Sequence, residues 1–442
     1  MKIVKVPFAA LLAGSLAVSA VPAAYAAPVT SYTGDFMPTS SDTSPVLKPL
    51  WTADAKVGLA RNIDAFQAKT LGGFVFYPGK DKLSAVDAAS GRQKWSIRAK
   101  LNSDLVADGN ALYYVDRTGS LIKTDAKTGR TVWKNKAGLK SQFGGFSAAM
   151  AGGRLYVSGS ESLQAFDPAT GKRIWKQSSE SDLAGTVHGV YDGVLIASFV
   201  VSGAITIDQY VGFDPKTGKK LWQLGDSHGP ILDVQGGSLY LQNTSQWGNE
   251  ENYAAVLDKI SLKTGKKVSS FGYIPVEDAL FQQASRLIVD GKFVYVSVRK
   301  YTPGTLGGGP ETVYRFNANQ EPSAQKPVMY EGYGDLLAGP YMDRLFFQNG
   351  LQLTYMKFAG QASSSYPDIY NPISRLDLHG SGAYVGLSDG NFYTVDLPSA
   401  KTVGRIDTGA RVYGETLFSD SIVIVQAENK LIAFKRPSAL KD

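Results

Sequence analysis

The chain has 442 residues, with 46 Lys and Arg against 39 Asp and Glu, a formal net charge of +7 and no cysteine. This length is ample for a large core, and the mild positive charge, spread over many turns, argues against a nucleic-acid partner. Without cysteine the chain can form no disulfide, and it offers no lipidated cysteine as a membrane anchor.

The first 26 residues have the pattern of a secretory signal peptide. Lys2 and Lys5 precede an apolar run over residues 6–21, and Ala24-Tyr25-Ala26 supplies a small-residue cleavage site. We therefore expect export to the periplasm, the cell wall or the outside of the cell. The predicted organisation is a signal peptide over 1–26, a flexible Ser-, Thr- and Pro-rich leader over 27–48, and a single domain over 49–442.

A turn motif then recurs four times. It reads Asp-x-x-Ser/Thr-Gly-Arg/Lys-x-x-Trp, and its tryptophans are 38, 42 and 47 residues apart. The aspartate caps the turn and the glycine takes a left-handed conformation, as in a tight hairpin that ends in a bulge. Strand-like flanks with a period of about forty residues predict a β-propeller of four-stranded antiparallel blades. The repeated glycines are Gly91, Gly129, Gly171 and Gly218, and the repeated tryptophans are Trp95, Trp133, Trp175 and Trp222.

Strand pairs occur nine times along the chain, near residues 74, 111, 154, 194, 238, 293, 345, 383 and 422. The pair near 345 has the weakest pattern, so we predict eight blades, with seven to nine possible and nine as the literal count. Trp51 marks an outer strand that lacks its preceding strands, and residues 422–426 and 431–434 are strands that lack a following one. Together these termini predict one shared blade that closes the ring.

One apolar stretch of the mature chain, residues 194–207, needs a separate interpretation. It is shorter than the about 20 residues that cross a bilayer, and Ser202-Gly203 lies in its middle as a turn signal. We predict two buried strands and a hairpin there, and no membrane span in the mature chain.

The repeat resembles that of the quinoprotein-like (PQQ-like) family, strongly over residues 83–222, moderately to Val268, and weakly afterwards. The resemblance implies a β-propeller whose outer-strand tryptophans dock against the neighbouring blade. It also implies two classes of function. The family's enzymes are alcohol or sugar dehydrogenases that hold PQQ over a calcium ion, and many carry adjacent cysteines that this chain lacks.

The chain resembles the non-enzymatic members of the family more closely, in length and in regularity. These include the outer-membrane barrel-assembly lipoprotein, which uses its ring as a protein-binding platform. Because the anchoring cysteine is missing here, a role in barrel assembly does not carry over.

Three consecutive units have long middle hairpins, which neighbouring blades would place side by side as a rim on one face. Aromatic and charged side chains on such loops are the usual material of a binding surface. The alternative is that the loops pack on their own aromatic residues and bind nothing. The candidate rim residues are Trp247, Glu250, Glu251, Tyr253, Arg299 and Tyr301.

The remaining chemistry-bearing residues give weaker signals. His188, His228 and His379 lie at the starts of separate units, so isolated hydrogen-bonded histidines are favoured over a metal cluster. We predict no catalytic, cofactor or metal residues. The predicted function is a secreted, non-catalytic scaffold that binds an envelope protein or polysaccharide. The alternative is a PQQ- and calcium-dependent dehydrogenase, and a glycoside-active enzyme rests on fold analogy alone.

Overall fold

Nine four-stranded antiparallel sheets make up the part of the chain that the structure describes. In this computed structural model the described residues are 42–55, 67–140, 145–179, 181, 183–202, 206–244, 253–276, 284–301 and 308–442. Eight sheets use consecutive strands, and the ninth combines the first strand of the chain with the last three. The preferred count of eight blades is therefore wrong, and the literal count of nine strand pairs is correct.

The strands are numbered in chain order. Strand β1 is Trp51–Asp54. Blade 1 contains β2 Lys69–Leu71, β3 Phe74–Gly79, β4 Lys82–Asp87 and β5 Gln93–Arg98; blade 2, β6 Val106–Asp108, β7 Ala111–Val115, β8 Leu121–Asp125 and β9 Thr131–Asn135; blade 3, β10 Ser147–Ala151, β11 Arg154–Gly159, β12 Ser162–Phe166 and β13 Arg173–Ser178.

Blade 4 contains β14 Thr186–Tyr191, β15 Val194–Ser202, β16 Thr206–Phe213 and β17 Lys220–Gln223; blade 5, β18 His228–Gln235, β19 Ser238–Asn243, β20 Tyr253–Ser261 and β21 Lys267–Pro275; blade 6, β22 Ala284–Asp290, β23 Phe293–Tyr301, β24 Gly308–Asn317 and β25 Val328–Glu331.

Blade 7 contains β26 Asp335–Tyr341, β27 Arg344–Asn349, β28 Gln352–Lys357 and β29 Ser363–Tyr370; blade 8, β30 Ile373–His379, β31 Gly382–Leu387, β32 Gly390–Asp396 and β33 Lys401–Ala410; blade 9, β34 Leu417–Ser419, β35 Ile422–Ala427 and β36 Lys430–Lys435, completed by β1. Two short 3-10 helices are Pro322–Ala324 and Ala359–Gln361. The described residues contain no helix with the length and apolarity needed to cross a bilayer.

The repeated turn shows why the outer two strands of a blade form a hairpin. Asp125 accepts hydrogen bonds at Oδ1 from the Thr128 amide at 2.8 Å and from its hydroxyl at 2.7 Å. Gly129 donates its amide to the Asp125 carbonyl at 2.9 Å and has a φ of 72°. The strand register shifts between Lys123 and Thr124. The turn is therefore a capped, left-handed hairpin with a bulge.

The core is divided into nine clusters of buried apolar side chains, and each cluster fills one junction between neighbouring blades. At the closing junction, Val75 and Val86 of blade 1 pack with Ile424 and Leu431 of blade 9. Because each blade buries one face on each side, a closed ring leaves no apolar sheet face without a neighbour.

The two chain ends meet in blade 9. Strand β1 pairs antiparallel with β36, with Trp51 opposite Ala433 and Asp54 opposite Lys430. The predicted closure by the terminal strands is confirmed, since sheet order β1-β36-β35-β34 contains both ends.

Residues 42–50, here called the strap, run from blade 8 into β1. The Leu47 amide donates to the Arg405 carbonyl at 2.7 Å, and the Arg405 amide donates to the Pro45 carbonyl at 2.8 Å. These bonds form an isolated parallel bridge between Val46 of the strap and Arg405 of β33. Asp42 lies 2.7 Å from the Arg405 guanidinium and also accepts a hydrogen bond from Tyr393. The last part of the segment predicted as a leader is thus bound to the propeller, whereas residues 27–41 lie outside the described residues.

Candidate functional site

The repeated tryptophans lie at blade junctions. The indole Nε1 of Trp95 donates to the carbonyl of Ala126, in the turn of the next blade, at 2.9 Å. A Cβ atom at Gly129 in that turn would lie 2.7 Å from the indole ring, so only glycine fits beneath it. The same bond recurs from Trp51 to Ala88 at 2.8 Å, Trp133 to Pro168 at 3.3 Å, Trp175 to Pro215 at 3.0 Å and Trp222 to Leu262 at 2.6 Å. Since each indole packs on a neighbouring turn and donates its N–H there, these side chains serve the fold.

Four of the candidate rim residues can be placed only in part or not at all. Trp247, Glu250 and Glu251 lie outside the described residues. Tyr301 ends β23 with its backbone opposite Gly308, and its side chain is outside the described part of the chain. Their role stays a prediction.

Tyr253 begins β20, and its ring packs directly against Gly272 of the adjacent strand β21. The side chain is half-buried. Because the ring covers a glycine of its own sheet, it contributes to the packing of the blade. The exposed part of the ring is the portion that a partner could contact.

Arg299 joins blades 6 and 7. Its Nη2 lies 2.6 Å from Asp335 Oδ1 and 3.0 Å from Glu311 Oε1. The Glu311 side chain is 4% exposed, and its Oε2 accepts hydrogen bonds from the Ser297 hydroxyl at 2.6 Å and from the Leu336 amide at 2.9 Å. Burial alone would raise the pKa of Glu311, but these donors and Arg299 hold it below its ordinary value. The guanidinium predicted for the rim is therefore part of an inter-blade ion-pair network.

A buried carboxylate lies in blade 5, at a position that belongs to no sequence motif. Asp258 on β20 is fully buried. Its Oδ2 faces His228 Nε2 at 3.0 Å, Asn243 Nδ2 at 2.8 Å and Lys267 Nζ at 2.9 Å. Its Oδ1 accepts the Ser270 hydroxyl at 2.5 Å. Residues of all four strands of the blade thus converge on one carboxylate.

This cluster is also the one group of described His and acidic residues that has the spacing of a metal site, with Asp226 as its third member. The Lys267 ammonium lies 2.9 Å from Asp258 and 3.3 Å from Asp226, so it takes the place of a cation between the carboxylates. Calcium also requires six to eight oxygen ligands, and His228 brings a nitrogen. The residues of this cluster therefore do not fit a calcium ion.

The other two histidines have separate partners in other blades. His188 Nε2 lies 2.9 Å from the Ser198 hydroxyl, and burial lowers the pKa of His188. His379 stacks on Phe418 at a centroid distance of 3.9 Å. The first contact holds the His188 ring within blade 4, whereas the second packs His379 of blade 8 against blade 9.

Two cavities flank the short hairpin of blade 2, residues 116–120. The first has a volume of about 460 Å³ and lies between blades 2 and 3, lined by Arg117, Leu139, Lys140, Phe146 and Glu161 among others. The second, of about 320 Å³, lies between blades 1 and 2, lined by Ile97, Arg98, Lys100, Tyr114 and Lys134 among others. Both include Arg117 and Thr118. The sequence does not reveal these cavities, because their lining comes from several short segments, and the long loops have the more visible pattern.

Comparison with known proteins places this architecture in a family. Two segments, residues 48–143 and 125–302, match the family model described as outer membrane protein assembly factor BamB. Together they span more than half of the chain. No curated protein matches the chain significantly.

Solved structures with a similar course of the chain include BamB from Moraxella catarrhalis, with 13% identity, a TM-score of 0.46, and coverage of 88% of this chain and 100% of that chain. Quinohemoprotein alcohol dehydrogenase from Comamonas testosteroni has 14% identity, a TM-score of 0.48, and coverage of 88% and 76%. The computationally designed Ika8 protein has 12% identity, a TM-score of 0.47, and coverage of 87% and 100%. At these identities and TM-scores, the structural similarities say nothing about the function of this chain. The family match stands apart from them, and by it the chain belongs to the PQQ-like repeat family described as outer membrane protein assembly factor BamB.

Proposed function

We propose that this protein is an exported, non-catalytic β-propeller that serves as a binding scaffold for a protein or a glycan at the cell envelope. The observation that carries the proposal is the family match over residues 48–302. An assembly factor works by holding other macromolecules, and the signal-peptide pattern of residues 1–26 supports action outside the cytoplasm. The proposal does not extend to barrel assembly.

The use of the buried charges supports the same function. Asp258 is bonded within blade 5, and Glu311 is bonded across the junction of blades 6 and 7. Lys267 fills the position at which a metal would bind between Asp226 and Asp258. These groups hold a rigid ring together, and a rigid ring with varied loops is a suitable platform for a partner.

Capture from envelope fractions tests the proposal. Mature protein carrying a C-terminal tag would be cross-linked in envelope extracts, and bound proteins and polysaccharides would be identified. We expect one species whose recovery saturates as bait is added and which untagged protein competes away. Repeated recovery of no protein or polysaccharide would contradict the scaffold function.

An assay of the alternative enzyme runs beside it. Purified protein would be supplied with PQQ and calcium and offered alcohols and sugars with an artificial electron acceptor. We expect no saturable dye reduction; saturable turnover would overturn the non-catalytic assignment. The N-terminal sequence of protein recovered from the envelope should begin at Ala27, and an uncleaved N-terminus in the cytoplasm would contradict export.

A further inference from the structure

We propose that the groove along β33, in which the strap lies, is a peptide-binding site, and that the strap occupies it until an extended segment of a partner protein takes its place. The inference rests on the proposed scaffold function and gives that function a site and a partner chemistry. The partner segment carries a carboxylate and, five residues later, a leucine, as the strap does with Asp42 and Leu47.

Blade 8 lacks the tryptophan of the repeat. The turn at residues 396–400 keeps the order of the motif, but Ala400 takes the place of the left-handed glycine, with a φ of 55°. Gly404 takes the place of the tryptophan. It lies opposite Thr394, directly before the bulge between β32 and β33, which is the register position of Trp133 in blade 2. The junction of blades 8 and 9 therefore has no indole from β33.

An indole at this position would have no turn beneath it. In blades 1 to 4 the indole packs on a glycine in the turn that leads into the outer strand of the next blade. The outer strand of blade 9 is β1, which comes from the other end of the chain, so a turn does not join β36 to it. The side chain that fills this junction has to come from a different segment.

Leu47 of the strap fills the position of the missing tryptophan. A Cβ atom at Gly404 would lie 2.6 Å from Leu47 Cδ1, so the leucine lies directly on the glycine. Leu47 also packs with the buried cluster between blades 8 and 9, which includes Ile406 and Phe434. The glycine of β33 is thus the floor of an apolar position that accepts a leucine from an extended segment.

The carboxylate of Asp42 is the second anchor of the strap. Its Oδ2 lies 2.7 Å from Arg405 Nη1 and accepts a hydrogen bond from the Tyr393 hydroxyl at 3.0 Å. Both partners belong to blade 8, and both are donors that suit a carboxylate. The groove therefore combines an apolar position with a carboxylate position at a fixed separation.

Between the two anchors the groove contacts mainly the backbone of the strap. The two hydrogen bonds with residue 405 use the Pro45 carbonyl and the Leu47 amide, and they place few demands on the side chains. Ser44 is buried, whereas Thr43, Pro45 and Val46 are exposed. The site thus selects a carboxylate, a small residue two positions later and a leucine three positions after that.

The groove does not depend on the strap for its shape. Strand β33 is paired with β32 from residue 401 to residue 410, so departure of the strap leaves the sheet of blade 8 intact. The strap itself is held by one isolated bridge, at which Val46 is 68% exposed, and by its two anchors. Segments with so few bonds open at low cost, and a preformed groove then receives a second segment of the same pattern.

Fluorescence anisotropy on the full mature protein tests the inference. The probe is the acetylated peptide Asp-Thr-Ser-Pro-Val-Leu-Lys, which has the sequence of residues 42–48, with a C-terminal fluorophore. The receptor is the double variant Asp42→Ala, Leu47→Ala, in which the strap loses both anchors and the groove keeps all its residues. We expect saturable binding to this receptor, and an affinity about tenfold lower in the wild type, where the strap competes within the same chain.

Two further changes examine the anchors one at a time. Arg405→Ala added to the receptor should lower the affinity about tenfold, and alanine in place of the leucine of the peptide should do the same. The matched control is Lys263→Ala in the exposed turn of blade 5, which removes the same charge and should leave the affinity within about twofold. A cooperative thermal transition would show that each variant is folded, and the altered peptide tests the leucine position without any change of the receptor.

No saturable binding to the receptor, or equal affinity of the original and the altered peptide, would overturn the groove. Sedimentation of the wild type as a dimer would assign the groove to the strap of a second copy, and the partner assignment would be wrong. Capture from envelope extracts separates the two proposals, since an excess of the peptide should release the captured partner. A partner that the peptide does not release would overturn the groove and leave the scaffold function standing. If nothing is captured, the scaffold function itself fails.

Discussion

Replacement of Asp258 by alanine should destabilise the propeller far more than loss of a surface charge does. Asp258 is fully buried and is bonded to His228, Asn243, Lys267 and Ser270. Its removal would leave the donors without their acceptor and Lys267 without its buried counter-charge. Removal of one partner of a buried ion pair typically costs about 3–5 kcal/mol of the free energy of unfolding, and we expect a loss of that size.

The matched control is Asp226→Ala. Lys267 also lies 3.3 Å from Asp226, but the Asp226 side chain is 54% exposed. Exposed pairs contribute about 0–1 kcal/mol, so this variant should stay close to the wild type. Urea unfolding followed by tryptophan fluorescence would measure both variants. Equal, small losses in the two variants would refute the argument that burial gives Asp258 its importance.

The pH dependence gives an independent check. Burial alone would raise the pKa of Asp258, but the bonds from His228, Ser270 and Lys267 outweigh it and hold the pKa well below the ordinary value of 3.8. A depressed pKa adds stability above the unfolded value, and that stability is lost as the pH falls towards the folded value. The difference between wild type and Asp258→Ala should therefore be constant above about pH 5 and shrink below about pH 4. A difference that grows on acidification would contradict the assignment.

Three further predictions concern the turns, the strap and the rim. In thermal unfolding, Gly129→Ala should lower the free energy of unfolding by about 1–3 kcal/mol more than Gly109→Ala does. Both glycines have a positive φ, but only Gly129 lies against an indole ring. Equal losses would show that the indole imposes no constraint. Asp42→Asn should speed amide hydrogen exchange in the strap at neutral pH. Acidification below about pH 4 should do the same in the wild type, because hydrogen bonds to Asp42 outweigh its burial and lower its pKa. Unchanged exchange in the variant and in the acidified wild type would contradict the ion-pair role. Trp247→Ala and Tyr301→Ala should weaken capture of the envelope partner, and unchanged recovery would remove the rim as a contact surface.

The repeat could be predicted because its physics is local. An aspartate that caps a turn, a left-handed glycine and a tryptophan four residues later are all visible within nine residues. The undercount of blades arose where that local signal is missing. In blade 7, the short helix Ala359–Gln361 lies where blades 1 to 4 have the Asp-x-x-Ser/Thr-Gly turn, so only the strand pair near Leu345 marked the blade. The consecutive buried apolar residues Leu345, Phe346 and Phe347 were the better guide there.

The charged networks could not be predicted because their members are distant in sequence. Arg299 and Asp335 meet across a blade junction, and His228 reaches Asp258 across the strands of one blade. Neither pair has a motif, and each depends on the register of strands that only the folded ring fixes. For the same reason the two cavities beside residues 116–120 could not be predicted, since their lining comes from three blades.

A junction between blades can remain well packed where the repeat motif is lost. At the boundary between blades 6 and 7, Tyr330 lies on the outer strand, where blades 1 to 4 have tryptophan, and Arg315 takes part in the packing. The Arg315 guanidinium lies 5.8 Å from the Tyr330 ring and 5.5 Å from Phe358 of the next blade. At this junction a cation between two aromatic rings thus replaces the contact that an indole makes with a glycine elsewhere. Loss of the repeat at this junction therefore marks a change of structural contact and gives no indication of a functional site.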